Sequence, residues 1–528
     1  MERHAPCRLL RPEGRSCAMV LLLAMIAMPG CRTERPYADV DLDAMVSNRP
    51  DRPWRPDPDA ASVHPFDRSD GDDVAETTSN VPDARASIAP PPFRGETTSL
   101  LRLIDFALQH RPETRAAWER ARVAAAELGI AQGAWYPVIG IEAQFYYTRM
   151  IFPANGFALE ADQTALIPQV ALNYLLLDFG RREADDDAAR AGLFAANLTF
   201  NRALQRTIQE VQIGYFNLDA ALALNEAAGR NADLAETVLE MVEGQLAVGL
   251  ATAPELLLAR QEMARARFEV EATVAKILSA RASLLEACGV PANLPIKIAR
   301  ITERDLPEAL DYRVDDVIDV ALRGRPDLGA AIEKVREAAA GVRRAEADFL
   351  PVVNGFASAG IEWTEFKTDT DKIVEDGTTD FPSDTVTSPV WNVGVSASWI
   401  IFEGYIRENA VKAARAERRA AEADLEALRL QAIGETWDAY FRVQAFRRQY
   451  DFGVALVESS EEAFAGVSAA YREGLATITT LVQAERDLQE SQATFVGARA
   501  DLLTAAADLA FAAGIETGRN TTPVGPAR

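Results

Sequence analysis

Gly249-Leu250-Ala251-Thr252 and Gly474-Leu475-Ala476-Thr477 are two copies of one tetrapeptide in this chain of 528 residues. A long proline-free run, residues 182–248 or 405–473, precedes each copy, and a shorter run of helix-forming residues follows it. Glycine favours the left-handed turn in which many helices end. Each copy therefore predicts the tip of a helical hairpin, and two tips indicate that the chain repeats one structural unit.

Other motifs support the duplication because they recur at nearly constant offsets. In the first part of each repeat the offset is 214 residues, for Arg111-Pro112-Glu113 with Arg325-Pro326-Asp327 and for Trp135-Tyr136-Pro137 with Phe349-Leu350-Pro351. In the second part it is 225 residues, for Tyr215-Phe216 with Tyr440-Phe441 and for the two tips. The 11 additional residues of the second repeat therefore lie mostly in one loop.

Between these motifs, apolar residues alternate with small or polar residues over four stretches, which is the period of a β-strand. Each stretch has one apolar face with aromatic residues toward its ends, as lipid-facing barrel strands do. The predicted β-hairpins span residues 138–178 and 352–402, with polar loops at 148–166 and 364–389. Four strand–helix junction residues flank the hairpins: Pro137, Gly180, Pro351 and Gly404. The glycines can relieve the backbone where strand becomes helix.

The proline-free runs predict two helices, each about 100 Å long at 1.5 Å per residue, with too many charges to cross a bilayer. Four strands cannot close a membrane barrel, for which eight is about the minimum. The chain must therefore oligomerise, and three copies would supply twelve strands. The predicted fold is mainly α with a transmembrane β part, internally duplicated. Its four strands per chain complete a trimeric β-barrel on a long periplasmic α-helical barrel.

The first 30 residues have the features of a secretory signal peptide, with arginines ahead of a short apolar run. Met28-Pro29-Gly30-Cys31 resembles a bacterial lipobox, so Cys31 is the predicted lipidation site, although Met28 and Pro29 depart from the usual residues. The alternative is ordinary signal peptidase cleavage nearby, with Cys31 unmodified. Residues 31–97 are rich in Pro, Asp, Arg and Ser and predict a disordered tether after the lipidated cysteine.

The remaining boundaries follow from the repeat. Residues 98–290 form repeat 1 and residues 313–514 form repeat 2. Residues 291–312 between them predict a linker with one short strand. Residues 515–528 predict a loose C-terminal tail.

Composition and motifs exclude several classes of function. The formal net charge of −24 argues against a nucleic-acid partner, because phosphate binding needs a clustered positive field. The sequence contains no Gly-rich phosphate loop, no Cys/His metal spacing and no plausible pair of nucleophile and base. We therefore expect no enzyme activity, no cofactor and no metal site.

The doubled order of helix, proline, strand, loop, strand, glycine and long helical hairpin resembles the TolC-type outer-membrane factor family, or outer membrane efflux proteins, in its lipoprotein branch. The Arg-Pro-(Glu/Asp) motifs, the Gly-Leu tips and the lipobox carry the resemblance over residues 98–514. It implies a homotrimeric duct in the bacterial outer membrane, lipid-anchored and in contact with outer-membrane lipid. A helical barrel would continue the duct across the periplasm.

The resemblance also implies partners and docking sites. At its closed end such a duct meets a periplasmic adaptor (membrane fusion protein) and an inner-membrane pump of the RND or ABC type. Adaptors of the family dock at the hairpin tips, which gives six docking candidates: Gly249, Leu250, Thr252, Gly474, Leu475 and Thr477. A plain helix-cap turn is the structural alternative for these residues, and the two interpretations are compatible.

The family's aperture is often lined by acidic residues just beyond the tips, and this sequence matches the pattern only in part. Among the aperture candidates, Glu255 lies where an aspartate is common in the first repeat, whereas Thr480 and Gln483 replace two aspartates of the second. Tyr471 matches a tip tyrosine, and Ala476 replaces a nearby arginine. We therefore expect a gate that is held by other contacts.

The predicted function is that of an exit duct in a tripartite efflux system, which exports small molecules driven by the inner-membrane pump. Two alternatives stay open: an exit duct for type I protein secretion, and a lipid-anchored coiled-coil scaffold without a pore. The scaffold would not explain strands with a continuous apolar face. The sequence does not indicate which substrate is exported.

Overall fold

The computed structural model describes residues 45–55, 97–154, 157–302, 306, 312–368 and 384–515. The predicted signal peptide, Cys31 and the tail after residue 515 lie outside these described residues. In chain order, the elements are β1 (Thr97–Thr98), α1 (Leu100–His110), α2 (Pro112–Gly133), β2 (Val138–Ala154), β3 (Phe157–Leu177), α3 (Arg181–Ala247), α4 (Ala253–Ala287), β4 (Lys297–Ile298), α5 (Val314–Gly324), α6 (Pro326–Ala347), β5 (Val352–Thr368), β6 (Asp384–Ser398), α7 (Ile406–Arg472) and α8 (Ile478–Ala512).

Both predicted helical hairpins are present. The long helices α3 and α7 each have 67 residues and the return helices α4 and α8 each have 35, so the two repeats match in length. Pro137 and Pro351 directly precede β2 and β5. The predicted linker contributes β4, which pairs in parallel with β1. None of the described helices has an apolar stretch long enough to cross a bilayer.

The equivalent helices α3 and α7 differ in burial. Of their residues, 26 are buried on α3 and 10 on α7. The reason is that α3 packs against α2 and α4 of its own repeat and also against α6 and α8 of repeat 2, whereas α7 packs mainly against α5, α6 and α8. One flank of α7 therefore remains exposed.

The four long strands form one antiparallel sheet in the order β2-β3-β5-β6, so that β2 and β6 are its edges. One row of aligned residues is apolar: Ile141, Val170, Ala359 and Trp391. The next row is small or polar: Gly140, Ala171, Ser358 and Asn392. The sheet thus has the two faces that the sequence predicts. On β2 the apolar residues extend from Ile139 to Tyr147, about 26 Å along the strand, close to the roughly 25 Å apolar band of membrane barrels.

The predicted loop at residues 148–166 is wrong. β2 continues to residue 154 and β3 begins at residue 157, so the hydrogen-bonded ladder occupies almost all of this stretch. Arg149 lies opposite Asp162, and its guanidinium donates hydrogen bonds of 2.7 and 2.9 Å to the two carboxylate oxygens. Cross-strand ion pairs of this kind stabilise polar strands in water. The second predicted loop is shorter too, because β5 extends to residue 368 and β6 begins at residue 384.

Residues 45–55, which we term the N-terminal strap, correct the prediction of a disordered tether for this part of residues 31–97. Val46 and Trp54 are buried against α2 and α3. The side-chain amide of Asn197 donates to the carbonyl of Met45 at 2.9 Å. Asn201 accepts from the backbone N–H of Trp54 and donates to its carbonyl, both at 2.7 Å. Two buried side chains and paired backbone groups therefore order a segment whose average composition is polar.

The strap binds repeat 1 through residues that repeat 2 lacks. At an offset of 225 residues, Asn197 and Asn201 correspond to Glu422 and Glu426 on α7. A carboxylate cannot donate a hydrogen bond to a backbone carbonyl as asparagine does. The strap is thus specific for one of the two repeats.

We expect Asn201→Ala to release the strap, because the substitution removes both hydrogen bonds to Trp54, each contributing about 1 kcal/mol. Backbone hydrogen exchange over residues 45–55 measures the release, and the protection of the Trp54 N–H should fall about tenfold or more. Asn225→Ala is the matched control on α3, since the Asn225 amide bonds Thr273 on α4 instead. Unchanged protection of the strap in Asn201→Ala would contradict the prediction.

The Arg-Pro-(Glu/Asp) motifs tie the start of each short helix to the adjacent long helix. The guanidinium of Arg325, only 2% exposed, binds Asp327 and Glu435 with N–O distances of 2.7 Å each. Repeat 1 has the corresponding contact, from Arg111 to Glu210 at 2.5 Å. The two glutamates lie at the 225-residue offset of the long helices. The same ion pair therefore stabilises both repeats.

A glycine after each return helix lets this arginine approach. Gly289 and Gly514 have φ angles of 73° and 71°. A Cβ atom would lie 2.9 Å from the Arg111 Cα at the first position and 3.0 Å from the Arg325 Cα at the second. Both the backbone angle and the close contact exclude a larger residue.

Arg202 of α3 connects repeat 1 to the Arg325 network. Its Nε lies 3.5 Å from an Asp327 oxygen, and its Nη1 donates to the Phe511 carbonyl at 2.8 Å. Burial alone would raise the pKa of Asp327. The hydrogen bond from Arg325 and the charge of Arg202 outweigh burial and hold that pKa below its usual value. The network therefore stays ionised at neutral pH and joins the two repeats.

Candidate functional site

The two hairpin tips end their long helices with the same hydrogen-bond pattern. The N–H groups of Gly249 and Leu250 donate to the carbonyls of Leu246 and Gln245, at 3.0 and 2.8 Å. Gly474 and Leu475 repeat both bonds, at the same distances, in the second hairpin. This is the Schellman motif, in which a residue with positive φ follows the helix. The φ angles of 80° at Gly249 and 73° at Gly474 explain why glycine occupies both positions.

The return helices begin with caps that differ in charge. In the first tip, the backbone N–H and hydroxyl of Thr252 both donate to the Glu255 carboxylate, at 2.6 and 2.9 Å. In the second tip, the N–H of Thr480 donates to the Thr477 hydroxyl at 3.3 Å, and the two hydroxyls lie 2.9 Å apart. The predicted aperture residue Glu255 therefore has a capping role, and its counterpart Thr480 does the same without a charge.

Each tip presents one exposed leucine above a shared apolar base. Leu250 is 80% exposed and Leu475 is 84% exposed. Beneath them, side chains of both hairpins form one buried cluster: Val238, Val242, Ala251, Ala259, Tyr471, Ile478, Leu481 and Val482. Because the cluster contains residues of both hairpins, it holds the two tips in contact in this structure.

The remaining aperture candidates, Tyr471 and Gln483, are not carboxylates and therefore supply no acidic ring. Tyr471 is buried in the apolar cluster, and burial together with the negative charge of Glu255 raises the pKa of its hydroxyl. Gln483 is exposed, and its amide donates to Asp487 at 2.7 Å. Among the described residues, no group of three or more His, Cys, Asp or Glu side chains could hold a metal ion.

The sequence interpretation missed a second contact between the hairpins. Arg486 of α8 forms an ion pair with Glu262 of α4, with two hydrogen bonds, one of them 3.2 Å from Nε to Oε2. The neighbouring Glu485 is buried beside them. Burial, together with the charge of Glu262, raises the pKa of Glu485 to about 7, although Arg486 opposes the rise. The duplication could not have indicated the contact between Glu262 and Arg486, because the two residues are not at equivalent positions of the two repeats. Only the register of the two helices brings them together.

The strand-to-helix junctions differ from the prediction in one respect. Before α3, Phe179 and Gly180 have φ angles of 53° and 92°, and before α7, Gly404 and Tyr405 have φ angles of 68° and 66°. At the 225-residue offset, Gly180 corresponds to Tyr405 rather than to Gly404. Each junction thus needs two left-handed residues and has one glycine. The other residue bears strain of roughly 1–2 kcal/mol.

Comparison with known proteins identifies the family. The family model for outer membrane efflux proteins matches residues 103–290 and 317–515, one segment in each repeat and most of the chain. The chain belongs to the outer membrane efflux protein family. As a member of the family it is an outer-membrane transport protein, and the matched segments contain both tips.

Two relatives of this efflux protein each cover about four fifths of the chain. It is 26% identical to protein CyaE of Bordetella pertussis, over 82% of this chain and 87% of the relative. It is 24% identical to outer membrane protein OprJ of Pseudomonas aeruginosa, over 80% of this chain and 85% of the relative. The crystal structure of outer membrane protein VceC from Vibrio cholerae superimposes with a TM-score of 0.66 at 22% identity. That match covers 79% of this chain and 96% of VceC. The fold is thus that of the solved outer-membrane channels.

Proposed function

We propose that three copies of this efflux protein form an exit duct, with twelve strands closing one barrel in the outer membrane and their helices forming a tube in the periplasm. The observation that carries the proposal is the four-stranded sheet with its apolar face, whose edge strands β2 and β6 each have one side that pairs with no other described strand. Unpaired backbone groups are not tolerated in hydrocarbon. Further copies must therefore complete the sheet.

The exposed flank of α7 supports the same assembly. Within the chain, α3 faces α8 across a groove lined by residues that include Gln205 and Gln212. The equivalent positions on α7 are Leu430 and Trp437, which are apolar and exposed. Because α4 is the repeat 1 equivalent of α8, α4 of a neighbouring copy fits against this surface. Each boundary between copies would then resemble the boundary between repeats.

We infer further that a periplasmic adaptor docks at the tips and that an inner-membrane pump drives the export of small molecules through the duct. The exposed Leu250 and Leu475 support this inference, because each is a large apolar side chain that is at least 80% exposed on a hydrogen-bonded turn. Acylation of Cys31 would anchor the chain to the membrane, and the mass of the mature N-terminus tests it.

Replacing both Leu430 and Trp437 with glutamate tests the assembly. We expect the detergent-solubilised protein to have the mass of one chain and to produce no conductance in a planar bilayer, because two carboxylates cannot be buried unpaired at an apolar contact. Trp437→Phe is the control, since it keeps an aromatic ring and should keep the trimer.

Two results would contradict the proposal. A glutamate double variant that keeps the trimeric mass would place the boundary between copies elsewhere. A wild-type trimer that inserts into the bilayer and does not conduct would favour the scaffold without a pore.

A further inference from the structure

The ion pair between Glu262 and Arg486 joins the two hairpins of one chain close to their tips. Glu262 lies ten residues beyond Thr252 and Arg486 nine residues beyond Thr477, so both are about 15 Å from the tips along their helices. Glu262 is 8% exposed and Arg486 is 34% exposed. Any separation of α4 from α8 must therefore break a largely buried ion pair.

Glu485 makes this contact sensitive to protons. Its side chain is buried, and among the described residues no donor forms a hydrogen bond with its Oε2 atom. The charged groups that act on it are Glu262, which faces it from α4, and Arg486, which follows it on α8. When Glu485 is ionised, two buried carboxylates share one guanidinium. When it is protonated, the charges of Glu262 and Arg486 balance.

We propose that Glu262, Arg486 and Glu485 form a proton-dependent latch, which holds the two hairpins of one chain together while Glu485 is protonated and weakens when Glu485 ionises. The proposal rests on the proposed function, because holding or separating the hairpins matters only if they surround the periplasmic end of a duct.

The direction of the pH effect follows from the two states. With the hairpins in contact, the pKa of Glu485 is raised from its ordinary value of 4.5 to about 7. After separation, water reaches the carboxylate and its pKa returns toward the ordinary value. Contact therefore binds a proton that separation releases. Separation becomes more favourable as pH rises between these two values, and the dependence levels off above the higher one.

The latch occurs once per chain rather than once per repeat. At the 225-residue offset, Glu262, Glu485 and Arg486 correspond to Asp487, Arg260 and Gln261. Arg260 pairs with Glu243 of its own hairpin at 3.1 Å, and Asp487 accepts from Gln483 of its own helix. The equivalent contact between neighbouring copies thus lacks a latch, and a trimer would have three.

The test measures tip separation and conductance in the same trimers. Nitroxide labels on Leu250→Cys and Leu475→Cys report the distance between tips by pulsed EPR. We expect the separated fraction to rise between about pH 5 and about pH 7, by at most tenfold per pH unit for each latch, and to level off above. Planar-bilayer conductance should rise in parallel.

Three variants identify the groups responsible. Glu485→Gln cannot ionise, so its tips should stay together at every pH. Arg486→Gln leaves Glu262 without a partner, so at each pH of the test a larger fraction of its tips should be separated than in the wild type. Glu490→Gln removes an exposed carboxylate from the same helix and should behave as the wild type.

The outcomes distinguish the latch from the duct. Tips that respond to pH equally in the wild type and in Glu485→Gln, or that do not respond in the wild type, overturn the latch even if the trimer conducts. A trimer that never conducts overturns the duct. The EPR distances need no pore, so they still test the latch in that case.

Discussion

Replacing Leu250 and Leu475 together with aspartate is expected to abolish export in cells without changing the stability of the isolated protein. Both side chains are more than three-quarters exposed, and exposed substitutions usually change stability by less than about 0.5 kcal/mol. A leucine that fills a partner's pocket contributes about 2 kcal/mol or more, which corresponds to roughly 30-fold in affinity at each tip. Export of a pump substrate and co-purification of the adaptor measure the effect.

Val248→Glu is the matched control for the leucine variant. Val248 is 70% exposed at the C-cap position directly after α3, and its counterpart at the second tip is already Glu473. The Val248→Glu substitution adds a negative charge at the same tip but leaves both leucines in place, so we expect normal export and adaptor binding. Full export by the double aspartate variant would show that the tips act only as helix caps and not as docking sites.

Replacing Arg325 with leucine is expected to lower the free energy of unfolding by about 3 kcal/mol, at the low end for breaking a buried ion pair. The substitution leaves the partly buried Asp327 and Glu435 without their shared cation. The loss falls at the low end of the range because Arg202 still lies near Asp327 and Glu435 keeps contact with water. Chemical denaturation of the detergent-solubilised protein, followed by far-UV circular dichroism, measures it.

Arg323→Leu controls for the loss of an arginine from the same short segment. Arg323 is 84% exposed and pairs with the exposed Asp319 on α5, so its removal should cost less than about 0.5 kcal/mol. Equal effects of the two substitutions would show that burial of Arg325 contributes nothing to the network.

The helical part of the fold could be predicted almost to the residue. Proline at the start of α2 and α6 and glycine at the end of the long helices are strong signals, because each acts through its own backbone. The proline-free run at residues 182–248 predicts a long helix, and the structure has one over residues 181–247. The run at residues 405–473 corresponds to a helix over residues 406–472. The sheet faces were equally predictable, since alternation assigns them directly.

The errors have a common physical cause, which is that composition does not show what lies opposite a residue. Arg149 and Asp162 indicated a loop until their cross-strand pairing was known. Val46 and Trp54 were too few to indicate order in the strap, yet Asn197 and Asn201 complete its hydrogen bonds. Likewise, Glu262, Glu485 and Arg486 meet only because two distant helices cross.

The unlike caps of the two tips bear on how many partners the duct can take. Glu255 places a negative charge at the start of α4, whereas Thr480 leaves the start of α8 uncharged and the second tip carries its carboxylate, Glu473, at the end of α7 instead. Around a trimer, six exposed leucines would look alike, but the position of the carboxylate beside them would alternate. A partner that contacts only the leucines would find six equivalent tips. A partner that also contacts the cap residue would find two kinds of tip, with three of each. We therefore expect a partner that contacts the third residue of α4 and α8 to bind the duct with threefold rather than sixfold symmetry.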